Sequence, residues 1–327
     1  MRSTSLLHRL ISAPEFGPFV LLVGEVVVFT ARSSAFLSPG NISNLLAFTP
    51  ELGMITLGMT LLMTSGEFDL SVGSVFGFAP VMMWTFYNAH ITSLEIGFLI
   101  AMVMAIVVGF ANGWLVTRLK IPSFLVTLGM LLVVRGTALY ITDGFPQRTW
   151  TSDSALMKVI VGEFSVGGLR IFASLLWFIL FAVILGYVLT ETKAGNWIQA
   201  AGGNPDAARA RGVRVAHTKI LLFILTALIS AYAGVTSSIR VSAANPNSGT
   251  GYELEVIAMV VIGGTALTGG RGTIIGTVIG VLILRTMRDG IVLIGVPGLA
   301  YNIFIGAIIL GMMALHSWLE RRHHAGT

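Results

Sequence analysis

Residues 191–217 read ETKAGNWIQAAGGNPDAARARGVRVAH, a polar and basic segment set between two long apolar runs. Over half of the 327 residues are hydrophobic, only 11% are charged, and the mean hydropathy is +0.86. Soluble domains carry roughly a quarter charged residues, so the solvent implied for most of this chain is a lipid bilayer. A folded basic segment kept between membrane spans implies that something soluble grips it. The stretch therefore points to a helical membrane domain that works with a second, soluble subunit.

Within the stretch, Asn204 is placed to cap a helix, Pro205 suits its first position, and Asp206 complements the positive end of its dipole. Ala207, Ala208 and Ala210 favour helix, and Gly212 ends it. The spacing predicts a helix of about two turns, too short to be stable alone in water. Its small side chains would let a partner's groove approach, while Arg209, Arg211 and Arg214 surround it with charge. An ordinary positive loop accounts for the arginines. It does not account for cap, alanines and stop together.

Outward from this segment, apolar runs of roughly 20 residues bounded by charge, Pro or Asn give about ten spans. They lie near 16–34, 44–64, 72–88, 94–117, 122–141, 171–190, 218–239, 253–268, 273–293 and 297–317. The expected fold is an all-α integral membrane protein, with 1–327 as a single domain, since no linker or composition shift divides the chain. With the N-terminus inside, twelve basic residues fall on the cytoplasmic side, seven outside and one, Arg135, within a span. That bias puts both termini and 191–217 in the cytoplasm and leaves 142–170 as the longest external loop. Pro14 and Glu15 interrupt the N-terminal run and no small-residue cleavage site follows, so the first span reads as uncleaved.

Several function classes are excluded by what is missing. Without cysteine there is neither a disulfide framework nor a thiolate metal site. There is no G-x-x-x-x-G-K-[ST] loop for ATP, no H-E-x-x-H and no G-x-S-x-G. Nor do aromatic and basic residues interleave as a nucleic-acid groove requires. The expectation is a non-enzyme with no cofactor and no metal.

A few polar residues sit inside the oil. Asp69 lies between two apolar runs, where an ionisable group is a functional candidate by default. Beside Ser71 and Ser74 it is equally suited to accept backbone N–H bonds and start the next helix, and that structural reading is preferred. Glu25, Glu51 and Arg135 either line a path or snorkel to an interface. Asn112 either bonds a hydroxylated solute or, more commonly, a neighbouring helix. Gly73/Gly77, Gly109/Gly113 and Gly272/Gly276/Gly280 recur at small-residue spacing and mark close helix packing. Glu51-Leu52 with Ile55, and Glu253-Leu254 with Ile257, each lead through a Gly-rich turn to Gly-Ser-Val-Phe-Gly (73–77) or Gly-Thr-Ile-Ile-Gly (272–276). These are either an internal duplication, common in transporters, or a chance recurrence.

The segment Gly202–Gly212 resembles the coupling helix of bacterial ATP-binding cassette importer permeases, in the subfamily that carries ribose and related monosaccharides. Gly66-Glu67-Phe68-Asp69-Leu70-Ser71-Val72-Gly73-Ser74 is similar to its G-x-x-D-L-S-V-G-S signature. Tyr252–Ala258, with Val261–Thr265 and Gly269–Gly272, resembles its second signature. One departure is Glu67-Phe68, where many members have Gly-Ile. The resemblance implies about ten spans in the type II, vitamin B12 importer-like fold, in a bacterial inner membrane. It also implies an ATPase subunit gripping the coupling helix, a periplasmic sugar-binding protein and a second or sister permease copy. The rival expectation is an ion-coupled secondary transporter with Glu25, Glu51 or Asp69 as relay.

Overall fold

A computed structural model describes residues 15–149, 154–307 and 310–311. The basic residues at 2, 9, 321 and 322, Trp150 and Asp153 of the 142–170 loop, and part of the tenth run lie outside the described residues.

Helix α1 spans Phe16–Arg32, α2 Pro39–Thr64, α3 Val72–Asn88, α4 Leu94–Arg118 and α5 Ser123–Thr142. After a short α6 (Ala155–Val161) the chain forms a hairpin of β1 (Glu163–Val166) and β2 (Leu169–Phe172). Helix α7 (Ala173–Glu191) leads to α8 (Lys193–Gly203), α9 (Pro205–Ala210), α10 (Val215–Arg240), α11 (Tyr252–Ile262) and α12 (Ile274–Leu293). Helical turns resume at 301.

Five of these helices, α2, α4, α5, α7 and α10, are long and apolar enough to cross a membrane. The bundle is helical as expected, with one exception. The 142–170 loop carries a two-stranded hairpin whose pairing, Glu163 with Phe172 through Val166 with Leu169, the polar sequence did not announce. The run at 253–268 also differs. Its helix α11 stops at Ile262, because Gly263–Gly264 turns the chain and Gly264 takes a φ of 91°. At 11 residues it reaches only about 16 Å, about half a hydrocarbon core.

Burial separates the centre from the rim. From Ala47 to Thr64 nearly every side chain of α2 is buried, and the helix is apolar all round. Its hydroxyls close on their own helix: Thr56 donates to Leu52 O, Thr60 to Thr56 O and Thr64 to Thr60 O. That arrangement leaves no free polar group in a medium without water. Helices α4, α5 and α7 instead expose rows such as Leu99, Val103 and Val107, or Val183, Ile184 and Tyr187, a surface suited to lipid.

Helix α10 runs through the middle against α2, α3 and α4. The Gly109/Gly113 pair makes the α4 contact possible, since a Cβ on Gly109 would lie 2.6 Å from Phe223 O and one on Gly113 2.7 Å from Ile220 Cα. This is the close packing that the spacing predicted. The two Gly-rich turns compared in the sequence also meet, with Gly269 packed against Gly66. Their parent helices differ, however. Glu51 sits midway along α2, whereas Glu253 is in the first turn of α11.

Candidate functional site

The segment Gly202–Gly212 is pre-formed. Asn204 Oδ1 accepts the Ala207 N–H at 3.0 Å, Pro205 takes the first helical position and Asp206 the first turn. The helix ends with Gly212 N–H on Arg209 O and Val213 N–H on Ala208 O, both at 3.0 Å, around Gly212 at φ 85°. This double closure satisfies the last carbonyls and needs a left-handed residue. At six residues α9 makes somewhat under two turns, close to the length the spacing predicted. The expected loop before it is a further helix, α8, capped by Thr192 Oγ1 on Gly195 N–H.

The two alanines part company. Ala208 is buried with Ala201 and Val215, while Ala207, Asp206, Arg209, Ala210 and Arg211 are exposed, and Asp206 pairs with Arg209. A partner that approaches α9 meets Ala207 and Ala210. Ala208 holds the helix to the body.

Three chain segments meet just before this helix. Gly202 lies against Thr64 O and Gly270, a Cβ there having no room, and Gly270 N–H donates to Thr64 O at 2.8 Å. The end of α2, the end of α8 and the loop before α12 thus meet backbone to backbone. Glu67, the departure in the signature turn, pairs with Lys219 of α10 at 2.6 Å.

Asp69 is fully buried. Its Oδ1 accepts from Ser71 N–H at 2.7 Å and from Ser71 Oγ at 2.6 Å, and Asn112 Nδ2 donates to its Oδ2 at 3.3 Å. Asn112 also donates to Ser71 Oγ at 3.0 Å, and Ser74 Oγ donates to Ser71 O at 2.7 Å. The carboxylate organises the start of α3 and ties it to α4. None of the four residues borders a cavity described here.

Glu51 does. A cavity of about 550 Å³ lies where α2, α10, α11 and α12 converge, with Phe48, Glu51, Phe76, Arg240, Tyr252 and Arg285 on its walls. Arg240 Nε donates to Glu51 Oε1 at 2.7 Å, and its guanidinium lies 3.8 Å from the centre of the Phe48 ring. Arg285 Nη2 donates to Phe48 O at 2.6 Å. Of the other in-span charges, Glu25 accepts from Thr286 Oγ1 at 3.1 Å, and Arg135 donates to the carbonyls of Pro246, Ser248 and Gly73. Arg135 therefore anchors the loop before α11 instead of snorkelling.

Arg240, Arg285 and Arg288 are three of the seven basic residues that the sequence count assigned to the outside, with no role given. The structure puts Arg240 at the end of α10 and the other two within α12, on the wall of this cavity. The signal was present in the Arg-Thr-Met-Arg-Asp run at 285–289, a charge cluster in the middle of an apolar stretch.

The family model described as branched-chain amino acid transport system / permease component matches residues 41–313. The chain is 33% identical over 302 residues to the ribose import permease protein RbsC of Escherichia coli (strain K12), covering 90% of this chain and 91% of that one. It is 35% identical over 304 residues to the RbsC of Bacillus subtilis (strain 168), covering 90% of each. A third relative is the L-arabinose ABC transporter permease protein AraH of Azospirillum brasilense, 35% identical over 84% of this chain and 79% of that one. No solved structure matches the chain.

Proposed function

The chain belongs to the branched-chain amino acid transport system / permease component family, and we propose that it carries a monosaccharide or related polyol inward, as the permease subunit of an ATP-binding cassette importer. The family description alone leaves amino acid and sugar open. Relatives that align along nearly the whole chain are named for ribose and arabinose, which favours sugar.

In this reading about ten spans form the type II permease fold, α1, α3, α11, α12 and the helical stretch from 301 completing the set. Both termini and α8–α9 face the cytoplasm of a bacterial inner membrane. The partners are an ATPase subunit, a periplasmic sugar-binding protein and a second or sister permease copy. Residues Gly202, Asn204, Pro205, Asp206, Ala207, Ala208, Arg209, Arg211 and Gly212 make the coupling element. Within it, Asn204, Pro205 and Gly212 shape α9, Ala208 and Gly202 seat it, and Ala207 with the charged residues meets the ATPase.

One observation carries the proposal: an exposed, capped helix, α9, directly follows α8, whose last turn is seated by backbone contacts on the end of the buried helix α2. Force applied at α9 passes to α2 through the end of α8 at Thr64, and to α10 through the two residues that follow Gly212. ATP binding by the partner favours one arrangement of the assembly, and the bundle exchanges outward and inward openings.

The test is uptake of labelled sugars by proteoliposomes holding this chain with its ATPase and binding protein. The double substitution Ala207→Glu/Ala210→Glu, confined to exposed positions, is expected to leave insertion and thermal unfolding unchanged and to abolish ATP-driven uptake. Undiminished uptake would remove the docking role. Uptake driven by an ion gradient without the ATPase would replace the proposal with a secondary carrier.

A further inference from the structure

We propose that the cavity between α2, α10, α11 and α12 is a solute site of the permease itself, shaped for one neutral monosaccharide. The inference rests on the function proposed above and adds to it where the solute is held and by what chemistry.

Position comes first. Helix α10 begins at Val215, packed against Ala208 of the coupling helix, and ends at Arg240 on the cavity wall. At 26 residues it separates the two by about 39 Å, so they lie at opposite ends of one continuous rod. The cavity is thus at the far face of the bundle from the coupling helix, joined to it by the same element that receives the coupling motion.

Charge comes second. Three guanidiniums, of Arg240, Arg285 and Arg288, face two carboxylates, of Glu51 and Asp289. Arg240 is committed to Glu51, and Asp289 accepts from Asn41 Nδ2. A site for a phosphorylated sugar would carry a larger positive excess. A site for an amino acid would offer its ammonium group an uncommitted carboxylate, and both carboxylates here already have partners. The wall carries one net positive charge beside the neutral groups of Asn44, Thr49, Ser237, Ser248 and Tyr252, which can donate and accept and so suit sugar hydroxyls.

An unfilled donor is the third observation. Arg285 is 8% exposed, and although Nη2 donates to Phe48 O, its Nε–H has no hydrogen-bond partner. A buried donor without a partner is costly, and native structures seldom keep one without a reason. That N–H is closed off from the cavity as the side chain stands, so a solute hydroxyl supplies its acceptor only when Arg285 turns toward the lumen. Beside it the rings of Phe76 and Tyr252 lie 5.1 Å apart and tilted by 59°, giving apolar faces for the C–H side of a sugar ring. The volume of about 550 Å³ falls within the range of small-molecule sites and admits a monosaccharide with its water.

The chain has no cysteine, so an introduced one reports alone. Ser237, on the cavity wall, is the reporter, and Ser165, exposed in the β-hairpin, is the control. The full chain carrying Ser237→Cys is placed in lipid nanodiscs. Its rate of modification by a neutral methanethiosulfonate is read against D-ribose, L-arabinose, D-xylose, D-glucose, sorbitol, ribose 5-phosphate and leucine. At least one neutral sugar is expected to slow modification several-fold, with no effect at Ser165→Cys. Adding Glu51→Gln or Tyr252→Ala is expected to remove the protection while thermal unfolding stays cooperative. If no sugar protects although the intact transporter takes up that sugar with ATP, the site is wrong and the function stands. If the transporter takes up no sugar, the function falls and this inference with it. Stronger protection by ribose 5-phosphate or leucine overturns the assignment to a neutral sugar.

Discussion

Lys219 Nζ lies 2.6 Å from Glu67 Oε1, and the two side chains are only 12% and 15% exposed. The pair ties the first turns of α10 to the residues just past the end of α2. Farther along, the last residue of α10, Arg240, pairs with Glu51 at the middle of α2. Between the two pairs Gly58 brings the backbones together, since a Cβ there would lie 3.3 Å from Thr226 Cα. The C-terminal half of α2 is therefore pinned to α10 at two points and packed tightly between them, a unit built to move as one body.

The inner pin gives a measurable prediction. Removing one partner of a buried ion pair costs roughly 3–5 kcal/mol, and the residual exposure of this one lowers the expectation to about 2 kcal/mol. Glu67→Gln and Lys219→Gln should each lower the thermal unfolding midpoint in detergent. The double substitution should recover much of the loss, because neither charge is then stranded. Additive losses in that double-mutant cycle would mean the two side chains do not interact.

Asp69 should behave as a structural keystone. Asp69→Ala strands the Ser71 N–H, the Ser71 hydroxyl and one Asn112 N–H, at about 1–3 kcal/mol for each buried group left unsatisfied. Folded yield in membranes is expected to collapse. Ser74→Ala breaks only a side-chain bond to Ser71 O and is expected to cost about 1 kcal/mol. A well-folded Asp69→Ala variant that has lost only transport would reverse the assignment and make the carboxylate part of the path.

These two examples mark what the sequence could carry. Asp69 and the cap at Asn204 were legible because a carboxylate or amide followed at fixed spacing by its acceptor-seeking backbone is a local device. Helix α8 was not, since Lys193–Gly203 holds three glycines and an asparagine, and packing on α7 and α10 overrides their weak propensity. The cavity was hardest to see. Glu51 was recognisable as an odd charge in an apolar run, but its partner Arg240 stands 189 positions away. Only the fold brings them together.

The cap itself can be tuned. Asn204→Ala removes the acceptor for Ala207 N–H and is expected to destabilise α9 by about 1 kcal/mol, whereas Asn204→Asp or Asn204→Ser should keep it. Hydrogen exchange of the amides at 206–208 is the direct readout, with faster exchange expected in the alanine variant alone. Equal exchange in all three would show that docking on Ala201 and Val215, and not the cap, holds the helix.

Neighbouring glycines offer the sharpest contrast. A Cβ on Gly202 would run into Thr64 O and lie 2.6 Å from Gly270 N, at the backbone junction of α2, α8 and the loop before α12. A Cβ on Gly203 would meet only Gly270 Cα, at an ordinary 3.7 Å. Gly202→Ala must therefore push α8 and α9 off the end of α2, because neither opposing atom belongs to a side chain that can swing away. Gly203→Ala should be silent, or slightly stabilising through a less flexible unfolded chain. In the reconstituted transporter Gly202→Ala is expected to leave ATP hydrolysis by the partner running while uptake falls, since the helix is still present but no longer seated on what it moves. If Gly202→Ala transports as well as Gly203→Ala, the junction does not transmit force, and the route from α9 to the cavity must run through α10 alone.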